Sequence, residues 1–325
     1  MTQNDVLIIL PTAILVVWAI LLLVIDLWIP KSRKGITALL AAFGLAIALG
    51  VTLALSGLTG QIQPGFSNMA VLDGFAAYAD VIILGSGLLG VALAYDFLRR
   101  AGIERGEYYV LLLISTAGMM LMVQAYDLIV VFLALELLSI PLYVLSGFAR
   151  PQVQSEESAL KYFLLGAFAS AFFLYGAALI YGGTATTSLT GIVAAVQSGT
   201  ANHPGLLLVG AALLLVGLGF KISAVPFHMW TPDVYQGAPS PVTAWMSVSV
   251  KVAGLAALLR VFLIAFPGMA AQLQPVLWGI AALTMIAGNL LAIVQNNIKR
   301  LLAYSSIAHM GYLLMAFVPY GNGEV

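Results

Sequence analysis

The chain has 325 residues, of which 62% are hydrophobic and 8% charged, with thirteen Lys and Arg balancing thirteen Asp and Glu and no cysteine. Soluble domains run near half apolar and a quarter charged, so this composition excludes a soluble globular protein, a disordered tail and a surface that attracts nucleic acid. The lack of thiols also excludes disulfides and cysteine-ligated iron–sulfur clusters within this chain, and three histidines leave little for a dense metal centre.

A membrane-spanning helix requires roughly 20 apolar residues. Ten stretches qualify, at about 6–29, 36–56, 75–98, 107–125, 128–148, 158–182, 205–226, 241–266, 275–295 and 300–318. They are apolar all round, the pattern of lipid-buried helices rather than the alternating strands of an outer-membrane barrel. The expected fold is therefore an all-α polytopic membrane protein of about ten transmembrane helices, one membrane domain over 1–325. The first span lacks a basic start and a small-residue cleavage site and is followed by Lys31, Arg33 and Lys34, so it reads as retained rather than as a signal peptide. Loops on that side also hold Arg99, Arg100, Arg105, Arg150, Lys299 and Arg300. The opposite loops, including 57–74 and 183–204, hold no Lys or Arg, with Arg260 the one basic residue leaning that way. By the positive-inside rule the amino terminus faces outward and the basic loops face the cytoplasm.

Ionisable groups inside a bilayer are costly and are functional candidates by default. Taken along the chain, Asp26, Asp96, Arg99 and Arg260 stand near helix ends and are expected to snorkel to the interface. The run GSGLLG at 85–90 mimics a dinucleotide fingerprint but lies mid-span with no strand before it, so it reads as a helix-packing feature, like Gly166, Gly217 and Gly219. Glu136 lies nine residues past Asp127, about 14 Å along its helix and in mid-span. Lys161 enters only a few residues into the sixth span, with Glu156 and Glu157 as partners at helical spacing. Lys221 precedes Pro226, which has no N–H to donate to residue 222 and crowds its carbonyl, so the helix should break just after Lys221. Broken helices at membrane depth line polar cavities and mark ion sites. If the pieces on both sides of the break form one span, Lys221 is central; if the helix ends at Pro226, it lies near the cytoplasmic face. His228 and His309 read either as proton relays or as hydrogen-bonded packing residues. His203, in an outer loop, reads as solvated, and Lys251 sits ten residues into the eighth span, near mid-membrane. Glu136 and Lys251 are proton-transfer candidates; the alternative is a static ion pair that fixes helix packing.

The stretches LALELLSIPLYVLSGFAR (133–150), ESALKYFLLGAFASAFFLYGAALIYG (157–182), GFKISAVPFHMWTPDVYQGAPSPVTAWMSVSVKVAGLAALLRVF (219–262) and NIKRLLAYSSIAHMGYLLMA (297–316) resemble the antiporter-like subunits of respiratory complex I. The L and M members of that family and the Mrp-type cation/proton antiporters share the broken-helix signature but diverge around the glutamate. The resemblance covers 107–318 strongly and the first three spans more loosely.

It implies an antiporter-like fold of two inverted five-helix repeats, each with one broken helix. Residues 1–106 would hold the three N-terminal spans, 107–266 the complete first repeat (spans four to eight), and 267–325 the start of the second. The family continues with further spans and a second broken helix, so at Val325 either the chain is incomplete or the remainder is supplied separately. The resemblance implies a non-redox, proton-translocating subunit of an NADH:quinone oxidoreductase in a bacterial cytoplasmic membrane. Proton transfer would run through Glu136, Lys221, Lys251 and Lys161, with His228 matching the histidine after the break and His309 a secondary candidate. It implies no cofactor in this chain; quinone, NADH, FMN and iron–sulfur clusters would belong to partner subunits. The partners would be other membrane-arm subunits, especially an M-type antiporter-like subunit and small membrane subunits, with lipid around them. A Mrp-like cation/proton antiporter subunit working without electron transfer is the alternative, and a scaffold whose buried charges only fix packing is the third reading.

Overall fold

Polar residues at helix starts set where the elements begin. In the computed structural model, which describes residues 2–30, 33–60, 64–199, 204–317 and 319, the Thr2 hydroxyl accepts from the Asp5 N–H and the Asp5 carboxylate accepts from the Thr2 N–H, a reciprocal cap for α1 (Gln3–Asp26). Asp73 caps α3 (Gly74–Arg100) by accepting from Ala76 N–H at 2.8 Å, and Asp127 caps α5 (Leu128–Ser146) from Ile129 N–H at 2.8 Å. The remaining helices are α2 (Gly35–Ser56), α4 (Glu107–Gln124), α6 (Val153–Thr184), α7 (Leu189–Gln197), α8 (Pro204–Ile222), α9 (Trp230–Gly237), α10 (Ser240–Arg260), α11 (Ala270–Ile293) and α12 (Ile298–Leu314). Lys31, His203 and Val325 lie outside the described residues.

Among the described residues, nine helices are long and apolar enough to cross a membrane: α1 to α6, α8, α10 with the five-residue π-turn Val261–Ala265 that extends it, and α11 with its leading 3₁₀ turn. The tenth expected span is α12, whose 17 residues are continued by a 3₁₀ turn at Met315–Phe317. No strand beyond isolated bridges occurs among the described residues. The protein is a multi-pass, all-α membrane protein.

α4 is the hub of the bundle, packing against α1, α2, α3, α5 and α10. It meets α5 backbone to backbone at Gly118, where a Cβ would stand 2.5 Å from the Leu138 nitrogen. The other glycines read as packing positions divide. Gly87, Gly90, Gly166, Gly217 and Gly219 face neighbouring side chains, whereas Gly85 faces open space.

The loops on the face opposite the basic loops carry structure that hydropathy does not reveal. α7 lies in the stretch 183–204 and buries Leu189 and Ile192. The tight junction between α4 and α5 is pinned from both sides: Tyr126 N–H donates to the Met69 carbonyl at 2.8 Å, and Leu128 N–H donates to the Thr187 carbonyl at 2.9 Å. The two outer loops thus meet across a three-residue link.

Two expected snorkelling residues do not snorkel. Asp26 is buried, pairing with Lys34 at 2.6 Å and accepting from the Thr37 hydroxyl at 2.6 Å. Arg260 is only 5% exposed. Its Nε donates to the Val123 carbonyl at 2.7 Å and its two terminal nitrogens grip Asp73 at 2.9 and 2.5 Å, while the guanidinium faces the Phe75 and Tyr126 rings. A bidentate carboxylate within reach satisfies the guanidinium better than the interface does. Asp96 and Arg100, by contrast, form an exposed pair at 2.5 Å on the basic face.

Burial alone would raise the Asp73 carboxyl, but the hydrogen bonds and charge of Arg260 outweigh it and hold the group below the usual carboxylate value. A lowered folded-state value means that the stabilisation is present above the unfolded carboxylate's value, near about 3.9, and is lost as pH falls through the folded one. The solubilised protein should therefore lose melting temperature on acidification below about pH 4. Asp73→Asn should blunt that acid-dependent drop in melts recorded across the same pH range.

Candidate functional site

The chain leaves α8 at the residue that proline chemistry points to. Ser223 adopts φ 62°, Ala224 N–H donates to the Gly219 carbonyl at 2.8 Å, and Ser223 N–H donates to the Phe220 carbonyl at 3.1 Å. This is the Schellman closure, with serine in the left-handed position that glycine usually takes. The groups freed by the break find partners. Val225 N–H donates to the Thr284 hydroxyl at 2.9 Å, the Thr231 hydroxyl donates to Ser223 Oγ at 2.7 Å, and the Trp230 indole N–H donates to the Phe220 carbonyl at 2.9 Å. α9 then continues toward the basic face, so the break is internal and Lys221 does not reach an interface. Lys221 is 1% exposed.

Three aromatic faces surround its ammonium. Lys221 Nζ stands 5.3 Å from the Tyr162 ring centre, 5.6 Å from Tyr143 and 5.9 Å from Phe220, within the range of cation–π attraction. Tyr162 stacks on Trp230 at 4.5 Å and 7°, and Tyr143 meets Tyr162 edge-on at 4.8 Å and 89°. Helices α5, α6 and α8 each contribute a wall, and Trp230 of α9 backs two of them. Among the described residues, Nζ has no hydrogen-bond partner.

Glu136, in mid-α5, is close enough to exert a Coulomb effect on Lys221 and on Tyr143. No ion pair within 4.0 Å joins Glu136 to Lys221, however, and Glu136 Oε1 is buried without a hydrogen-bond partner. The static ion pair of the alternative reading is therefore not the arrangement seen here.

Lys251, on α10, is 5% exposed. Its ammonium donates to Ser306 Oγ of α12 at 2.7 Å and lies 5.9 Å from the Tyr235 ring centre. Tyr235 and Ser306, with Thr243, Ser247 and His309, border a cavity of about 570 Å³ between α10 and α12. His309 is an exposed residue whose Nδ1 lies 2.7 Å from the Ser305 carbonyl. His228 sits in the break with Nδ1 buried and without a partner among the described residues.

Lys161 is placed apart from the caged ammonium. It is engaged at the basic end of α6 by Glu157 and Asp233, both at 2.7 Å. Glu156, its other sequence neighbour, pairs instead with Arg150 at 3.0 Å. Asp233 also takes Arg300 at 2.5 Å, so one carboxylate ties α6, α9 and α12 together. These groups are partly exposed, and exposed ion pairs contribute little individually. Asp233→Asn should lower stability by only about 1 kcal/mol, yet speed amide exchange in α9, the element it anchors. Hydrogen-exchange mass spectrometry beside a thermal melt would separate the two effects.

Sequence reasoning missed three residues. Asp80 of α3 is fully buried, accepts from Gln124 Nε2 at 2.8 Å and keeps Oδ1 unpartnered. Its signal was an acidic residue inside the apolar run AAYADVIIL, the same signal that marked Glu136. Tyr143 and Tyr162 stand in apolar runs with no charge of their own to mark them. Tyr143 follows Glu136 by seven residues, about two helical turns and hence the same face of α5. No group of three or more His, Asp or Glu side chains gathers as a metal site among the described residues.

The comparisons with known proteins bear on the chain and its fold as a whole. A model of the NADH:quinone oxidoreductase/Mrp antiporter transmembrane family matches residues 125–324. NADH-quinone oxidoreductase subunit N of Chloroflexus aggregans is 47% identical over 322 residues, covering 98% of this chain, which spans 65% of that relative's length. Among solved structures, a chain of respiratory complex I from Thermus thermophilus superposes with TM-score 0.79 at 40% identity, covering 94% of this chain and 64% of its own. A chain of the Mrp complex from Dietzia sp. superposes with TM-score 0.81 at 25% identity, covering 98% of this chain and 59% of its own.

Proposed function

The chain belongs to the NADH:quinone oxidoreductase/Mrp antiporter transmembrane family, and on that premise we propose that it is the membrane-arm, proton-translocating subunit N of an NADH-quinone oxidoreductase, without a redox centre of its own. The observation that carries this reading is Lys221, buried at a helix break and without a counter-ion contact among the described residues, with Glu136 near enough to influence it. The 47% identity with a subunit N supports the assignment.

An ionised Glu136 favours the ammonium form of Lys221; when that influence is withdrawn, the proton leaves through ordered water for Lys251. Lys251, held by the Ser306 hydroxyl, passes it on toward the second repeat. Lys161, His228 and His309 are secondary members of the route, with Lys161 at its basic-face end. Residues 107–266 form the first five-helix repeat, preceded by three spans over 1–106, and 267–325 begin the second. The driving force comes from quinone reduction in partner subunits that hold NADH, FMN and iron–sulfur clusters. An M-type antiporter-like subunit and small membrane subunits are the neighbours. The basic loops support a bacterial cytoplasmic membrane location with the amino terminus outside.

The likeness to the Mrp chain favours a second reading, a cation/proton antiporter subunit without electron transfer. Mild solubilisation of the native membrane and identification of what co-purifies separates the two. A particle of several hundred kilodaltons with flavin, iron–sulfur and quinone-reductase activity is the expected result. Recovery with only polytopic, cofactor-free subunits and sodium-dependent, NADH-indifferent transport would replace it with the antiporter reading.

A further inference from the structure

The Glu136 carboxylate and the Lys221 ammonium make no direct ion pair, and one side chain belongs both to the α5 face of the first and to the cage of the second. Tyr143 shares the α5 face of Glu136, two turns on, and its ring forms one wall of the Lys221 cage at 5.6 Å. Among the described residues its hydroxyl is buried without a hydrogen-bond partner, as is Glu136 Oε1. Ser139, one turn from each, already spends its hydroxyl proton on the Leu135 carbonyl. Across the helix interface, Gly166 of α6 leaves the space that the phenol occupies, because a Cβ at that position would collide with the Tyr143 hydroxyl. The edge-on contact with Tyr162 fixes the ring.

We propose that Tyr143 is the positioning residue through which Glu136 acts on Lys221: in the state that holds the proton its hydroxyl turns to donate to the carboxylate, a bond not made in the arrangement seen here, while its ring face holds the ammonium. A phenol that donates to an anion gains electron density in its ring, which deepens the cation–π attraction on the ring face. Glu136 then stabilises the ammonium through the ring, and moving the carboxylate off the hydroxyl loosens it. No bond is made or broken at Tyr143. A direct buried pair would be harder to reverse, since separating its partners leaves two uncompensated charges. This inference deepens the proposed function and rests on it.

The test uses sealed membrane vesicles carrying the assembled complex, with NADH-driven proton uptake measured per assembled particle alongside NADH oxidation. Tyr143→Phe keeps the cage and removes the hydroxyl; proton uptake should fall roughly fivefold. Adding Glu136→Gln to that variant should cost nothing more, because both changes cut the same link. Gly166→Ala displaces the hydroxyl together with the ring edge and should lose at least as much uptake as Tyr143→Phe, and the Gly166→Ala/Tyr143→Phe double variant should not recover. Normal uptake by Tyr143→Phe, losses from Tyr143→Phe and Glu136→Gln that multiply, or rescue of Gly166→Ala by Tyr143→Phe would each overturn the inference, the last by showing that only packing matters. Lys221→Ala in the same vesicles separates the two levels. Uptake that survives it sinks the proposed function, whereas uptake lost there but intact in Tyr143→Phe sinks only the tyrosine link.

Discussion

Lys221→Ala should reduce proton translocation by more than about tenfold while the protein still folds and assembles. The two halves of that expectation have separate physical origins. Among the described residues Lys221 Nζ makes no hydrogen bond, and its ammonium faces the rings of Tyr143, Tyr162 and Phe220. Removing it gives up cation–π attraction of about 1–2 kcal/mol and leaves a cavity, but it also removes an ionisable group from a site that solvates it poorly. The cost to stability is therefore small for so buried a residue. The cost to transport is large, because Lys221 is the group within the aromatic cage that takes and releases the proton, and His228 in the break lies outside that cage. Lys221→Arg sharpens the point. Arginine keeps the charge and the stacking but does not deprotonate in proteins, so a proton carrier fails with arginine whereas a packing charge is satisfied by it. NADH-driven proton uptake in vesicles, normalised to assembled complex, reads both variants. Normal pumping by either one would show that Lys221 is not the carrier.

The sequence carried the spans and the position of the break because both follow from local chemistry. Apolar runs of bilayer length can only be lipid-buried helices, and Pro226 removes a donor and crowds a carbonyl wherever the chain goes next. Glu136, Lys221 and Lys251 stood out for the same local reason, the cost of an ionisable group in hydrocarbon. What escaped depends on which helices meet. Nothing near Arg260 in the chain announces Asp73, 187 residues away, as its clamp. Lys161 looked paired within its own helix, yet its second carboxylate is Asp233, 72 residues on. The aromatic walls around Lys221 come from three helices, and an aromatic residue in a transmembrane sequence reads as one more apolar side chain until its neighbours are known. Asp80 is the exception, since its burial was legible by the rule already applied to Glu136. The short α7 escaped because two buried residues in an outer loop give no span-length signal.

Trp230→Ala should be the most destabilising single change at the break, lowering stability by about 3–5 kcal/mol. Trp230 is 1% exposed and begins α9. Its ring stacks on Tyr162 at 4.5 Å and on Phe220 at 5.2 Å, and meets Tyr235 edge-on at 6.1 Å. Truncation opens a cavity behind two walls of the Lys221 cage and removes the indole donor from the Phe220 carbonyl, which then keeps only the Ser223 N–H at 3.1 Å. Trp230→Phe separates these contributions. Phenylalanine restores most of the stacked area, so the remaining loss should be near the net worth of one hydrogen bond, about 1 kcal/mol. Thermal melts of the solubilised protein measure both. The larger variant should also lose transport, because Tyr162 would no longer be held against the ammonium. Phenylalanine, which keeps Tyr162 stacked, should pump close to the parent level. If Trp230→Phe instead loses transport while losing little stability, the indole N–H matters to the proton step itself and the stack is not what keeps Lys221 in register.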